Sequence, residues 1–99
     1  MISRQWRGLA KTARADEYVE HLRKETFPQL RAIPGFLSAS ILRRNVAGGV
    51  EFLVVTRWNS MGAIQQFAGR DAQVAVVPKQ VQELMIEYDR EARHYEVVE

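Results

Sequence analysis

Apolar positions recur along the chain with two periods, and the switches between them mark the elements. From Ile2 to Ala10, residues Ile2, Arg4, Trp6 and Gly8 fall on one face of an extended segment, and Ser3, Gln5, Arg7 and Leu9 on the other. This predicts a first strand. Near Ala15 the period lengthens. Tyr18, Val19 and Leu22 form a helical stripe, with Asp16 and Glu17 in the first turn, where carboxylates suit the positive end of the dipole. Pro28 has no N–H to offer the carbonyl of Lys24, so the helix is expected to kink or restart there. Leu30 and Ile33 continue its apolar face, and Pro34-Gly35 ends it.

Phe36 to Arg44 reads as a second strand, and Asn45 to Gly49, with two glycines, as a hairpin loop. Val50 to Trp58 is the strongest strand pattern. Its centre, Phe52-Leu53-Val54-Val55, is continuously apolar, so both faces are expected to be covered. Asn59-Ser60 offers a helix cap. Ala63, Ile64 and Phe67 line one side of the helix that follows, and Gly69 stops it. Asp71 to Pro78 fits neither period. Val81, Leu84, Met85 and Tyr88 lie at i, i+3, i+4 and i+7, which predicts another helical stretch. Asp89-Arg90 reads as a turn, and Ala92 to Val98 as a final strand.

The order strand, helix, strand, strand, helix, strand predicts an α+β protein with a ferredoxin-like βαββαβ fold. Right-handed crossovers put both helices on one face of an antiparallel sheet. The doubly apolar third strand then asks for a cover on the other face. A second copy of the same sheet supplies one, closing a two-subunit barrel.

Composition narrows the partners. The chain has 99 residues, enough for one domain over 1–99, and its 46% hydrophobic and 26% charged content argues against disorder. The net charge is only +2 and the signs are mixed. The Arg43-Arg44 pair reads as a solvated strand end, so no nucleic-acid partner is expected. The absence of cysteine rules out disulfides, thiolate catalysis and thiolate metal sites. No apolar run approaches a membrane span and no signal peptide opens the chain, so a cytoplasmic protein without a membrane partner is expected.

No P-loop, dinucleotide glycine fingerprint or nucleophile elbow is present. The two histidines, His21 and His94, are far apart in sequence and neither has a second ligand at metal spacing, so no metal is expected. Each is a candidate proton acceptor, because histidine exchanges protons near neutral pH. His94 lies on the final strand and His21 on the first helix. Trp6 and Trp58 lie on predicted strands and offer flat apolar surface plus an N–H donor to a planar ligand. Phe67 and Tyr88 read first as core.

Three stretches resemble the antibiotic biosynthesis monooxygenase domain family of the dimeric α+β barrel superfamily. They are Pro28 to Arg44 (PQLRAIPGFLSASILRR), Glu51 to Gly69 (EFLVVTRWNSMGAIQQFAG) and Arg93 to Val97 (RHYEV). With Ile2 to Gly8, the resemblance spans nearly the whole chain. It implies a homodimeric barrel with a pocket between sheet and helices in each subunit. Enzymes of that family include cofactor-free oxygenases of polycyclic phenols and haem-degrading oxygenases, beside many members without demonstrated catalysis.

In the first kind the substrate loses a proton and its electron-rich anion reacts with oxygen, in a dry pocket with donors to hold the anion. Trp58 matches the tryptophan after the third strand of such enzymes, which places it, with Trp6 and Phe67, at the substrate. The haem-degrading kind carries a haem-ligating histidine after that tryptophan and an asparagine on the first strand. Here no histidine occurs from Trp58 to Arg93 and no asparagine on the first strand, so haem degradation and a haem cofactor are not expected. Two function classes follow. One is a cofactor-independent monooxygenase-like enzyme for a small phenolic or quinol substrate. The other is a non-catalytic dimer that binds a small apolar ligand or a protein.

Overall fold

The computed structural model describes residues Met1–Glu99. Alternating side chains and antiparallel partners make Ile2–Ala10 a nine-residue strand, β1. Its full length pairs with β3 (Gly49–Trp58), which pairs in turn with β2 (Phe36–Val46). The β2–β3 hairpin turns through Ala47 and Gly48 alone, tighter than the five-residue loop expected. Gly48 takes φ +85, a left-handed value that suits glycine. The other edge of β1 carries two short strands end to end. β4 (Met85–Tyr88) pairs with Gly8 to Ala10, and β5 (Arg93–Glu96) with Ile2 to Gln5. The sheet order β2-β3-β1-β4, with β5 beside β4 on β1, is the expected ferredoxin-like antiparallel arrangement with its fourth position split in two.

The segment Met85 to Tyr88 is therefore a strand, not the predicted helix. Only Lys79–Gln82, α4, is helical there. The reason is a bulge. Leu9 pairs with Glu87 and Ala10 with Met85, so Ile86 is an extra residue, half-exposed outside the register. The bulge puts Met85 and Tyr88, three residues apart, on the same face, which imitates a helical spacing. β2 does the same at its start: Leu37 bulges out between Phe36 and Ser38.

The first helical segment begins at Ala15 as expected and runs as α1 (Ala15–His21), a π turn over Leu22–Thr26, and α2 (Phe27–Arg31). It does not restart at Pro28. The wider π turn, closed by Phe27 N–H on Leu22 O, brings the chain into Pro28 without a break. The extra residue keeps Leu22, Phe27 and Leu30 all buried on the sheet side. α3 (Met61–Ala68) starts at Ser60, whose hydroxyl accepts Ala63 N–H at 3.2 Å, and ends at Gly69 with φ +85. No helix is long and apolar enough to cross a membrane.

Helices cover one sheet face. There the even positions of β1 and β3 meet Tyr18, Leu22, Phe27 and Leu30 from α1–α2, and Ala63 and Ile64 from α3, in one core. The odd positions form the other face. Across it Leu42, Leu53 and Arg7 lie in one row, and Arg44, Glu51, Leu9 and Glu87 in the next. Leu42 is 51% exposed, Ile86 52% and Tyr95 49%. Glu51 sits between Arg7 (2.7 Å) and Arg44 (2.6 Å), whose hydrogen bonds hold its carboxyl below the usual range.

Candidate functional site

Two rows of the covered face form the floor of a cavity. One runs Ala39, Thr56, Arg4, His94 across β2, β3, β1 and β5; the next runs Ile41, Val54, Trp6. Of these, Arg4, Trp6, Val54 and Thr56 line the cavity. The helical roof adds Tyr18 and His21 from α1, Leu22 and Thr26 from the π turn, and Phe27 and Leu30 from α2. Phe67 of α3, Val76 and Pro78 of the following loop, and Val81 of α4 close the side. The volume open to water centres is about 70 Å³. That is several times the roughly 10–15 Å³ that a single water needs.

The wall is mostly apolar and contains no carboxylate. Trp6 lies across Gly8, where a Cβ would come within 2.6 Å of the indole, and donates its Nε1–H to Asp89 O at 2.8 Å. Glycine at position 8 therefore sets how the indole lies on the floor. Trp6 also leans against Tyr18 and Tyr88, with ring centroids 6.2 Å away in each case.

Trp58 is not in the wall. It is 0% exposed, with Phe36 edge-on at 5.2 Å and Phe67 stacked at 6.4 Å, and its Nε1–H is taken by Thr56 Oγ1 at 2.9 Å. It backs Phe67, which is in the wall, so the expected direct contact of Trp58 with a ligand becomes support one ring removed. Of the two histidines, His21 lines the cavity and His94 does not. His94 pairs across β5–β1 with Arg4, and its Nε2 lies 2.9 Å from Arg4 Nη1. A guanidinium has no acceptor, so Nε2 must carry the lone pair and His94 is neutral with its proton on Nδ1. Burial, and then the Arg4 charge, lower the His94 pKa, in line with that neutral state.

Arg4 and Tyr18 are wall residues that the sequence pattern does not mark as a site. Arg4 is 5% exposed, donates to the carbonyls of Ala72 and Val74, and rests 5.9 Å above the Phe67 ring. Burial draws its pKa down to about 10, which leaves it charged at neutral pH. Tyr18 is 3% exposed, and burial raises its hydroxyl well above the ordinary tyrosine range, so it is a donor rather than a base. Parity could have flagged Arg4, since it shares a face with Trp6. Its burial depends on a loop and a strand about 70 and 90 residues away. No group of three or more His, Asp or Glu side chains is arranged to hold a metal ion.

The family model described as antibiotic biosynthesis monooxygenase matches residues 1–79. Several solved structures share the fold. One antibiotic biosynthesis monooxygenase superposes with a TM-score of 0.70 at 16% identity, each chain covered over 100% of its length. A Streptomyces coelicolor monooxygenase in complex with nanaomycin D gives 0.64 at 18% identity, over 95% of this chain and 82% of that one. The haem-degrader MhuD of Mycobacterium tuberculosis, with two haems in its active site, gives 0.60 at 23%, over 99% and 96%. Identities this low carry the fold alone. No curated protein matches the chain significantly.

Proposed function

Because the chain belongs to the antibiotic biosynthesis monooxygenase family, we propose that it is a cofactor-independent monooxygenase-like enzyme for a small aromatic substrate, phenolic or quinol. The observation that carries this reading is the cavity between sheet and helices: mostly apolar, and lined by Trp6 and Phe67 together with Tyr18 and His21. Aromatic walls favour a planar ring. A dry cavity strengthens every polar contact made to it. His21 accepts the phenolic proton. The resulting anion, stabilised by the Tyr18 O–H, gives four electrons to oxygen in two steps: two form a peroxide bonded to a ring carbon, and two more follow as that carbon loses its hydrogen as a proton and the O–O bond breaks, so that one oxygen atom stays on the ring as a carbonyl and the other leaves as water. His94 serves here by holding Arg4 rather than as the base.

A second reading rests on His94. With its lone pair taken by Arg4, the wall keeps one histidine only, which suits a non-catalytic pocket that binds a small apolar ligand. Oxygen consumption separates the two. With small phenols and hydroquinones, uptake above the protein-free rate is expected, falling about 100-fold or more in His21→Gln. Ligand binding without uptake would favour the second reading.

In either case we propose that the open sheet face pairs with a second copy of the chain. Leu9, Leu42, Leu53, Val55 and Ile86 supply apolar surface there, crossed by the Arg7–Glu51–Arg44 charges.

A further inference from the structure

The cavity contains a charge with no counter-charge. Arg4 forms no ion pair with any carboxylate of the chain, and none lines the cavity. Of its five N–H donors, three are engaged, with Ala72 O, Val74 O and His94 Nε2. Nε–H and one N–H of Nη2 remain. No buried side-chain nitrogen or oxygen lacks a partner, so the unpartnered Nε is open to a small molecule, and Arg4 is part of the cavity wall. The Tyr18 hydroxyl, which bonds to nothing in the chain, opens on the same space by the same reasoning.

We infer that Arg4 is an anion receptor and that the ligand of this cavity is a planar aromatic acid, held as its carboxylate against the free guanidinium N–H groups. The inference rests on the reading of the cavity as a ligand site. A buried cation without a partner is costly, and removing that cost favours an anionic ligand over a neutral one of the same shape. Two remaining N–H donors on one guanidinium match the two oxygens of a carboxylate. A carboxylate is charged at neutral pH, so it compensates Arg4 on entry without a proton acceptor. Trp6 and Phe67 take the ring behind it. His94 then has a positioning role: by accepting from Nη1 it turns the guanidinium, with the two loop carbonyls, so that its other edge faces the cavity.

Benzoate and benzamide differ little in shape but by one charge. Titrated into the protein and followed by amide and indole NMR shifts, benzoate is expected to bind at least tenfold more tightly. Arg4→Gln is expected to abolish this preference, lowering benzoate affinity at least tenfold more than benzamide affinity. Arg70→Gln, at an exposed position, is expected to keep it. Equal affinities in the unaltered protein, or a preference that survives Arg4→Gln, would overturn the inference. Should Arg4→Gln fail to fold, the ratio in the unaltered protein decides. If neither compound binds, the reading of the cavity as an aromatic-ligand site falls with it, whereas equal binding of both removes the anion receptor alone.

Discussion

The Arg4–His94 contact makes the site sensitive to acid through a residue outside the cavity. The guanidinium can only donate, so the contact exists only while His94 is neutral. Its folded pKa lies below the ordinary value of 6.5, with burial the first cause and Arg4 the second. The unfolded chain therefore binds the proton more readily than the folded one. Stability is fully present above the unfolded value and is lost as pH falls through the folded value. Thermal melts from about pH 7.5 to about pH 5 are expected to show a falling Tm. In His94→Gln, which has no proton to gain, the difference from the unaltered protein should shrink across that window. Parallel curves would mean that His94 titrates alike in both states. Trp58 shows the reverse relation of residue to site: a side chain with no exposure at all, whose contribution to the cavity passes through the Phe67 ring it stacks against.

At the level of elements, the cavity depends on helices placed by small local devices. The π turn is one, since Leu22 and Thr26, at its two ends, both reach the cavity. The Ser60 cap is another. It satisfies the Ala63 N–H at the start of an eight-residue helix that carries Phe67 into the wall. Ser60→Ala is expected to cost about 1 kcal/mol in denaturant unfolding, while Ser60→Asp, which keeps an acceptor at the cap, should cost little. Equal losses for the two would mean that the hydroxyl matters for something other than the cap. The split fourth strand is a third device. Between β4 and β5 the chain leaves the sheet: Asp89 O accepts from Trp6 Nε1 on β1, and Arg90 O accepts from Ala75 N–H in the loop after α3. One turn thus ties the floor of the cavity to the loop at its side.

For the whole molecule, the asymmetry of the sheet is the dominant fact. One face is filled by helices; the other presents half-exposed leucine, isoleucine and tyrosine around an ion-paired centre. Exposed apolar surface gathered on one side marks an interaction face. Light scattering at micromolar concentration is expected to give twice the chain mass. Leu42→Asp combined with Leu53→Asp should return the monomer, since both leucines lie in one row of that face. A monomer in the unaltered protein would remove the second copy from the account of this surface.

The sequence by itself determined the architecture. Alternation on Ile2 to Ala10 and Val50 to Trp58, the Asn59-Ser60 cap and the glycines at the turns are local signals, set by backbone sterics and side-chain period, and they specify strands, helices and the ferredoxin-like order. Parity even placed Arg4 on the face that Trp6 shares. Where local signals were ambiguous, the tertiary structure decided. Val81, Leu84, Met85 and Tyr88 fit a helix until the bulge at Ile86 produces the same facing from a strand, and only the free edge of β1 selects that answer. The division of labour in the site was also beyond the sequence. Trp58 recedes behind Phe67 because Phe36 and Thr56 enclose it, and His94 turns to Arg4 because β5 lies against β1. Above all, an arginine two residues before a tryptophan is unremarkable in sequence. It becomes a buried, uncompensated cation only when Ala72, Val74 and His94 close around it, and burial is set by contacts across the fold, not by neighbours in the chain.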